Sequence, residues 1–259
     1  RNSLAALGGI ELDPAVAINP KSRLTYEDGC PPGGYDPAAR LKVMDAEEID
    51  VALLYPTIGI CWEGAVIDPG LANAYSRAYN RYIVDFCAHD PTRLVPVAHI
   101  SLLDPDFAVE ETRRAREAGC KAIYLSPDLD SRGGRHLMDP LFDPFWATAS
   151  ELDMPVGFHV VVRDKPFFRP WMPGRDTGSG LFFFAFLAID VMAAFTQMLA
   201  GGVFEKHPNL KCTVLESGAT WIAAWLDRMD HKYEVMRNIT PTELKPSEYF
   251  YRQCLVSAD

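Results

Sequence analysis

MDPLFDPFWATASELDMPVGFH, residues 138–159, spells a helix followed by a strand. Asp143 has the short acceptor side chain that closes the first turn of a helix, and Pro144 fits where a backbone N–H has no partner anyway. The stretch from there to Leu152 is predicted to be helical. Pro155 then opens PVGFHVV (155–161), an almost unbroken apolar run. A short run of that kind suits a strand covered on both faces, as in a parallel sheet. His159 is its one polar interruption.

The same unit recurs on both sides. Asp36-Pro37 opens a helix to Glu48, followed by the strand VALLY (51–55), which Pro56 ends. Asp68-Pro69 opens a helix to about His89 ahead of a strand over 94–100. Asp104-Pro105 opens a third helix, which Gly119 stops, ahead of a strand over 122–125. Beyond His159, residues 163–180 hold three Pro and three Gly and read as a long loop. A structureless segment of that length in a compact domain is usually a lid or binding loop. A helix from Leu181, a strand over 211–215, a helix over 221–236 and a strand over 253–257 complete the series. Strands alternating with helices predict an α/β fold, a (β/α)8 TIM barrel of the metal-dependent hydrolase type. Six strands are legible, so the outermost strands are expected to be missing from this chain. The expectation is one barrel domain over 1–259, with an irregular segment at 1–35 and an active-site loop at 163–180.

Bulk properties agree with that class. The 259 residues match the roughly 250 of a single barrel. The chain is 48% hydrophobic, enough for a large core, and its net charge of −10 opposes binding to nucleic acid. Local arginines can still hold an anionic substrate. The six cysteines (30, 61, 87, 120, 212 and 254) form no CxxC pair, which predicts reduced thiols in a cytoplasmic protein. Cys87, Cys120, Cys212 and Cys254 sit in apolar stretches as small core residues. LFFFAFLAIDVMAAF (181–195) is too short and too interrupted by Asp190 to cross a membrane. It reads as a helix buried in the core or in a homodimer interface, and no membrane partner or signal segment is expected.

In parallel barrels the reacting groups sit at the C-terminal ends of strands. That rule selects His99, Ser126, His159, Glu216 and Asp259. Imidazole and carboxylate are the donors of zinc, manganese and iron(II) centres. His159, Glu216 and Asp259 are the candidate metal ligands, and Glu216 is also the candidate catalytic base. Each has a plainer alternative: a core histidine for His159, and a helix-capping carboxylate for Glu216. His99 reads as a pocket-lining or core group. Tyr55, Trp62, Arg163, Arg169 and Trp171 are the other candidate substrate contacts. No nucleophile elbow, phosphate loop or dinucleotide fingerprint competes with a metal site.

Several segments carry a family resemblance: MDAEEIDVALLYPT (44–57), DPTRLVPVAHISLLDPDFAVEE (90–111), PVxFH (155–159), FxxHPxLK (204–211), ESGxxWxxxxLxRxD (216–230) and KPSEYFYRQCLVSAD (245–259). In this order they resemble amidohydrolase family 2, the group that includes aminocarboxymuconate-semialdehyde decarboxylase. The resemblance implies a divalent metal held by an HxH or DxH pair on the first strand, a His on the fifth and an Asp on the eighth. His159 falls on the fifth-strand ligand. No HxH or DxH precedes Asp36, and KPSEYFYRQCLVS matches the seventh strand, so the chain looks like the middle of a family member. Asp259 remains a candidate for the last ligand.

The decarboxylases of this family carry a sixth-strand His in an HxG segment, where this chain has Glu216 in ESG. That departure favours metal-assisted hydrolysis of a small amide, ester or thioester by an activated water, with zinc ahead of manganese or iron. Non-oxidative decarboxylation or hydration of an aromatic or unsaturated acid is the alternative. A catalytically inactive barrel used for binding or oligomerisation is the third reading. A small-molecule partner follows from the first two.

Overall fold

The computed structural model describes residues 31–57, 60, 63–161, 185, 186 and 188–257. Among them six strands form one sheet in chain order: β1 (Ala52–Leu54), β2 (Leu94–Ile100), β3 (Ala122–Leu125), β4 (Val156–His159), β5 (Cys212–Leu215) and β6 (Cys254–Val256). The pairs from β2 to β6 are all parallel. Helices fill the crossovers: α1 (Pro37–Ala46), α2 (Pro69–Cys87), α3 (Pro105–Glu117), α4 (Asp143–Glu151), α5 (Ile189–Ala200), α6 (Val203–Lys206), α7 (Thr220–Met236) and α8 (Pro246–Gln253). This is the βα alternation expected of the barrel.

Three of the Asp-Pro pairs act as the sequence implies, whereas Asp143 is itself the first residue of α4, whose N-cap, Phe142, makes no side-chain bond. The Asp36 carboxylate accepts the N–H groups of Ala38 and Ala39, and Asp68 accepts that of Leu71 at 2.7 Å. Asp104 accepts that of Phe107 at 3.1 Å. Each capping bond satisfies a donor that the first turn cannot.

The chain falls into two compact units. One comprises the described part of Arg1–Leu53 with Val84–Val95, the other Leu54–Ile83 with Pro96–Asp259. In the first, Arg93 ties the turn after α1: its guanidinium reaches Asp45 Oδ1 at 2.6 Å and the carbonyls of Ile49 and Asp50 at 2.8 and 3.0 Å. In the second, Phe142, Trp146, Phe158, Phe195, Phe204 and Tyr249 are fully buried. The Trp146 indole N–H, which burial would otherwise strand, donates to the Leu137 carbonyl at 2.9 Å.

Among the described residues the helix expected from Leu181 includes Ile189–Ala200, with Asp190 in its first turn, where a carboxylate suits the positive end of the macrodipole. One element differs from the sequence expectation. Helix α8 has no counterpart in the sequence reading. Its start lacks an Asp or Ser cap; the Glu248 carboxylate accepts the Lys245 N–H at 2.8 Å, and Pro246 fills the first turn.

Candidate active site

The site lies in the larger unit. Strand register places His99, Tyr124, Gly157 and Thr213 in one row across β2 to β5. Aligned residues of a parallel ladder share a face, so His159, two residues beyond Gly157, faces the same way one step nearer the strand ends. Bulk is rationed along this row. A methyl group on Gly157 would lie 2.9 Å from Thr213 Oγ1 and 3.2 Å from the Tyr55 hydroxyl. The Tyr55 hydroxyl reaches the row from the same side, and burial raises its phenol above the ordinary range.

His159 and Glu216 meet at the rim. His159 Nε2 lies 2.7 Å from Glu216 Oε2, and its Nδ1 lies 3.0 Å from the Val160 carbonyl oxygen. A carbonyl only accepts, so the Nδ1 proton points at Val160 and Nε2 is the nitrogen left for chemistry. A bare lone pair facing a carboxylate at 2.7 Å would be repulsive, so the contact requires a shared proton or cation. Glu216 is about half exposed.

Glu216 reaches this place by an unusual backbone. Its φ is +47°, the left-handed region that costs a side-chain-bearing residue about 1–2 kcal/mol. The Glu216 N–H donates to Ser257 Oγ at 3.3 Å, while the Ser257 N–H donates to the Val214 carbonyl at 2.9 Å. Strand β5 is thus turned sharply at its end and lifts the carboxylate to the rim. The N-cap of α7 is Ala219, without a side-chain cap, so Glu216 does not serve that helix.

Below the rim lies a buried polar node that sequence reasoning missed. Glu63 Oε2 accepts the Tyr124 hydroxyl at 2.7 Å, and Glu63 Oε1 lies 3.1 Å from His99 Nε2. His99 Nδ1 lies 2.9 Å from Ser76 Oγ. Both backbone groups of His99 are taken by Asn80, at 2.7 Å for the N–H and 3.0 Å for the carbonyl. Asn80 in turn donates to Glu111 Oε1 at 2.8 Å, and Glu111 is held by Arg77 and Arg114. Burial acts to raise the Glu111 carboxyl, but bonds from Arg114, Asn80 and Arg77 bring it below its usual value. The node touches the rim through Tyr124, whose ring stands edge-on to His159 at 6.4 Å between centroids.

The structure therefore brings together His159 with Glu216, and His99 with Glu63 and Tyr124. Tyr55 faces the inner row between Gly157 and Thr213. Trp62, Arg163, Arg169, Trp171 and Asp259 lie outside the described residues, as does the whole expected loop over 163–180. Glu63 had one sequence signal: it is the only charged residue between Asp50 and Asp68.

The rim has the chemistry of a partial metal centre. The Nδ1 contact to a carbonyl is the usual way a ligating imidazole is oriented, and carboxylate and Nε2 already converge. Among the described residues no group of three or more His, Cys, Asp or Glu could hold an ion. His159 and Glu216 fit as two of the donors of such a centre.

A family model described as amidohydrolase matches residues 30–243. The gamma-resorcylate decarboxylase of Rhodococcus jostii is 29% identical over 205 residues, covering 74% of this chain and 59% of that protein. The chain thus spans under two-thirds of that relative's length. An amidohydrolase crystal structure from Mycobacterium avium subsp. paratuberculosis superimposes with a TM-score of 0.78 at 24% identity, covering 88% of this chain and 59% of that one. A 5-carboxyvanillate decarboxylase from Novosphingobium aromaticivorans, in complex with manganese and 4-hydroxy-3-methoxy-5-nitrobenzoic acid, gives 0.69 at 24% identity over 94% of this chain and 68% of its own. With the parallel sheet and its strand-end histidine in place, the match over most of the sequence has one meaning: the chain belongs to the amidohydrolase family.

Proposed function

We propose that this chain is the greater part of a metal-dependent, non-oxidative decarboxylase acting on a hydroxylated aromatic carboxylic acid. The observation that carries the reading is the convergence of His159 Nε2 and Glu216 Oε2, 2.7 Å apart, at the ends of β4 and β5. The naming of matched relatives as decarboxylases supports it over the hydrolysis that Glu216 first suggested. His159 and Glu216 would hold a divalent ion, manganese or zinc, which supplies a Lewis acid for the substrate carboxylate and the oxygen beside it.

The remaining chemistry belongs to the chain. Decarboxylation needs one proton placed on the ring carbon that bears the carboxylate. The carbon–carbon bond then breaks, its electron pair returns to the ring, and carbon dioxide leaves. Glu216 is the residue to carry that proton, through the oxygen that does not face His159, since its carboxylate is open enough to reach substrate. Tyr55 and Trp62 would line the ring, and Arg163, Arg169 and Trp171 would meet the carboxylate and aromatic face.

Hydrolysis is the second reading, favoured by the carboxylate at 216, which suits a general base toward water. Supplying hydroxybenzoic acids, and separately aryl esters and amides, with manganese present separates the two. Release of carbon dioxide that is lost in Glu216→Gln and His159→Ala supports the proposal. Ester or amide cleavage without carbon dioxide release transfers the site to the second reading, and neither activity overturns both.

A further inference from the structure

Cys212 and Cys254 are Cα partners on the adjacent parallel strands β5 and β6. Paired strands lie about 4.8 Å apart, inside the roughly 4.4–6.8 Å that a disulfide spans between Cα atoms. The Cys212 thiol donates to the Thr213 carbonyl at 3.8 Å, and neither cysteine is in a disulfide. Register puts both side chains on the same face of the sheet, side by side. They differ in access. Cys212 is 1% exposed and Cys254 is 9% exposed.

We propose that Cys212 and Cys254 form a redox-sensitive cross-strand dithiol that is oxidised to a disulfide by hydrogen peroxide. Cys254, the more accessible thiol, accepts an oxygen from the peroxide and becomes a sulfenic acid, releasing one water. The Cys212 sulfur then attacks the Cys254 sulfur, the S–S bond forms, and the hydroxyl leaves with the Cys212 proton as a second water. Two thiols and one hydrogen peroxide thus become one disulfide and two waters. Burial raises the Cys212 thiol, so the second step draws on proximity to Cys254 rather than on a ready thiolate. The bridge would lock β6 to β5 at the start of the strand that ends at Glu216. The contact from the Glu216 N–H to Ser257 Oγ depends on that same pair of strands.

Hydrogen peroxide in excess, applied to the folded protein and followed by quenching, unfolding, alkylation and peptide mapping, tests the proposal without any reference to catalysis. The expected result is simultaneous loss of alkylation at Cys212 and Cys254, and a joined pair of peptides lighter by about two mass units, the two hydrogens lost. Cys87, at the end of α2, and Cys120, just ahead of β3, are both buried and stay alkylatable in the same sample. In Cys254→Ser, Cys212 stays alkylatable under the same treatment. Full alkylation of both cysteines in the wild type overturns the proposal. Sulfinic acid at Cys254 beside an intact Cys212 thiol, or a bridge from either cysteine to a different partner, does so equally.

Discussion

His99, next to last in β2, and His159, last in β4, lie on the same face of one sheet, yet their surroundings are opposite. His99 is wholly buried and engaged by Ser76, Asn80, Glu63 and the rings of Tyr79 and Tyr124. His159 keeps part of its ring open, and its Nε2 meets a carboxylate that is half in solvent. A buried polar group is tolerated when it is bonded, and His99 is held through its Nδ1 and both backbone groups. An imidazole meant for chemistry must keep one nitrogen reachable, and His159 does. The same residue type at the same kind of strand position thus serves structure in one place and reactivity in the other.

Matched alanine substitutions give the largest separation between the two. His99→Ala empties a fully buried site and takes the imidazole away from Ser76 and Glu63, so unfolding stability measured in urea should fall on the order of 3–5 kcal/mol. His159→Ala, at the partly open rim, should cost less than about 1 kcal/mol in the same assay. A reversal of that order would break the contrast.

Next in size is Gly157→Ala, placed between the two histidines. The added methyl meets Thr213 Oγ1 and the Tyr55 hydroxyl, and overpacking of this kind costs about 1–3 kcal/mol. An unchanged urea midpoint would mean that the row has slack which the spacing denies.

Acid should loosen the buried node first. The folded-state carboxyl of Glu111 lies below its usual value, so its contribution is fully present above the unfolded value of about 4.3. It should drain away as pH falls from there through the lower folded value. Wild type and Glu111→Gln should therefore differ in melting temperature at neutral pH and converge in acid. A gap that is constant across that range would remove Glu111 from the account.

The smallest effect is at Glu216, whose left-handed φ is strained for any residue with a Cβ. Glu216→Gly should leave stability unchanged or raise it by up to about 1 kcal/mol, the relieved strain being offset in part by the added chain entropy. It should also remove the contact to His159. A clear loss of stability would show that the carboxylate holds the turn, rather than the turn placing the carboxylate.

Much of this arrangement can be read from residue order because its determinants are local. An Asp-Pro start and an apolar run are legible over a few residues, and strands β2 and β3 fall on the expected bounds. His159 and Glu216 are visible for the same reason, as polar residues closing apolar runs. The helix α8 escaped because Lys245 is no cap, and its start depends on Glu248 reaching back three residues. Glu63 escaped because its burial is tertiary: nothing near it in sequence shows that Tyr124 and His99 receive it. Trp62, its neighbour, drew the attention instead. The strained turn at Glu216 depends on Ser257, 41 residues away, and no local pattern announces it.

Calorimetric titration with manganese and with zinc, comparing wild type with His159→Ala and Glu216→Gln, tests the central claim most directly. The account predicts saturable binding of one ion in the wild type, weakened at least about tenfold by each substitution. Binding that neither substitution changes, or no binding in the wild type, would contradict the assignment of the His159–Glu216 rim as the metal centre.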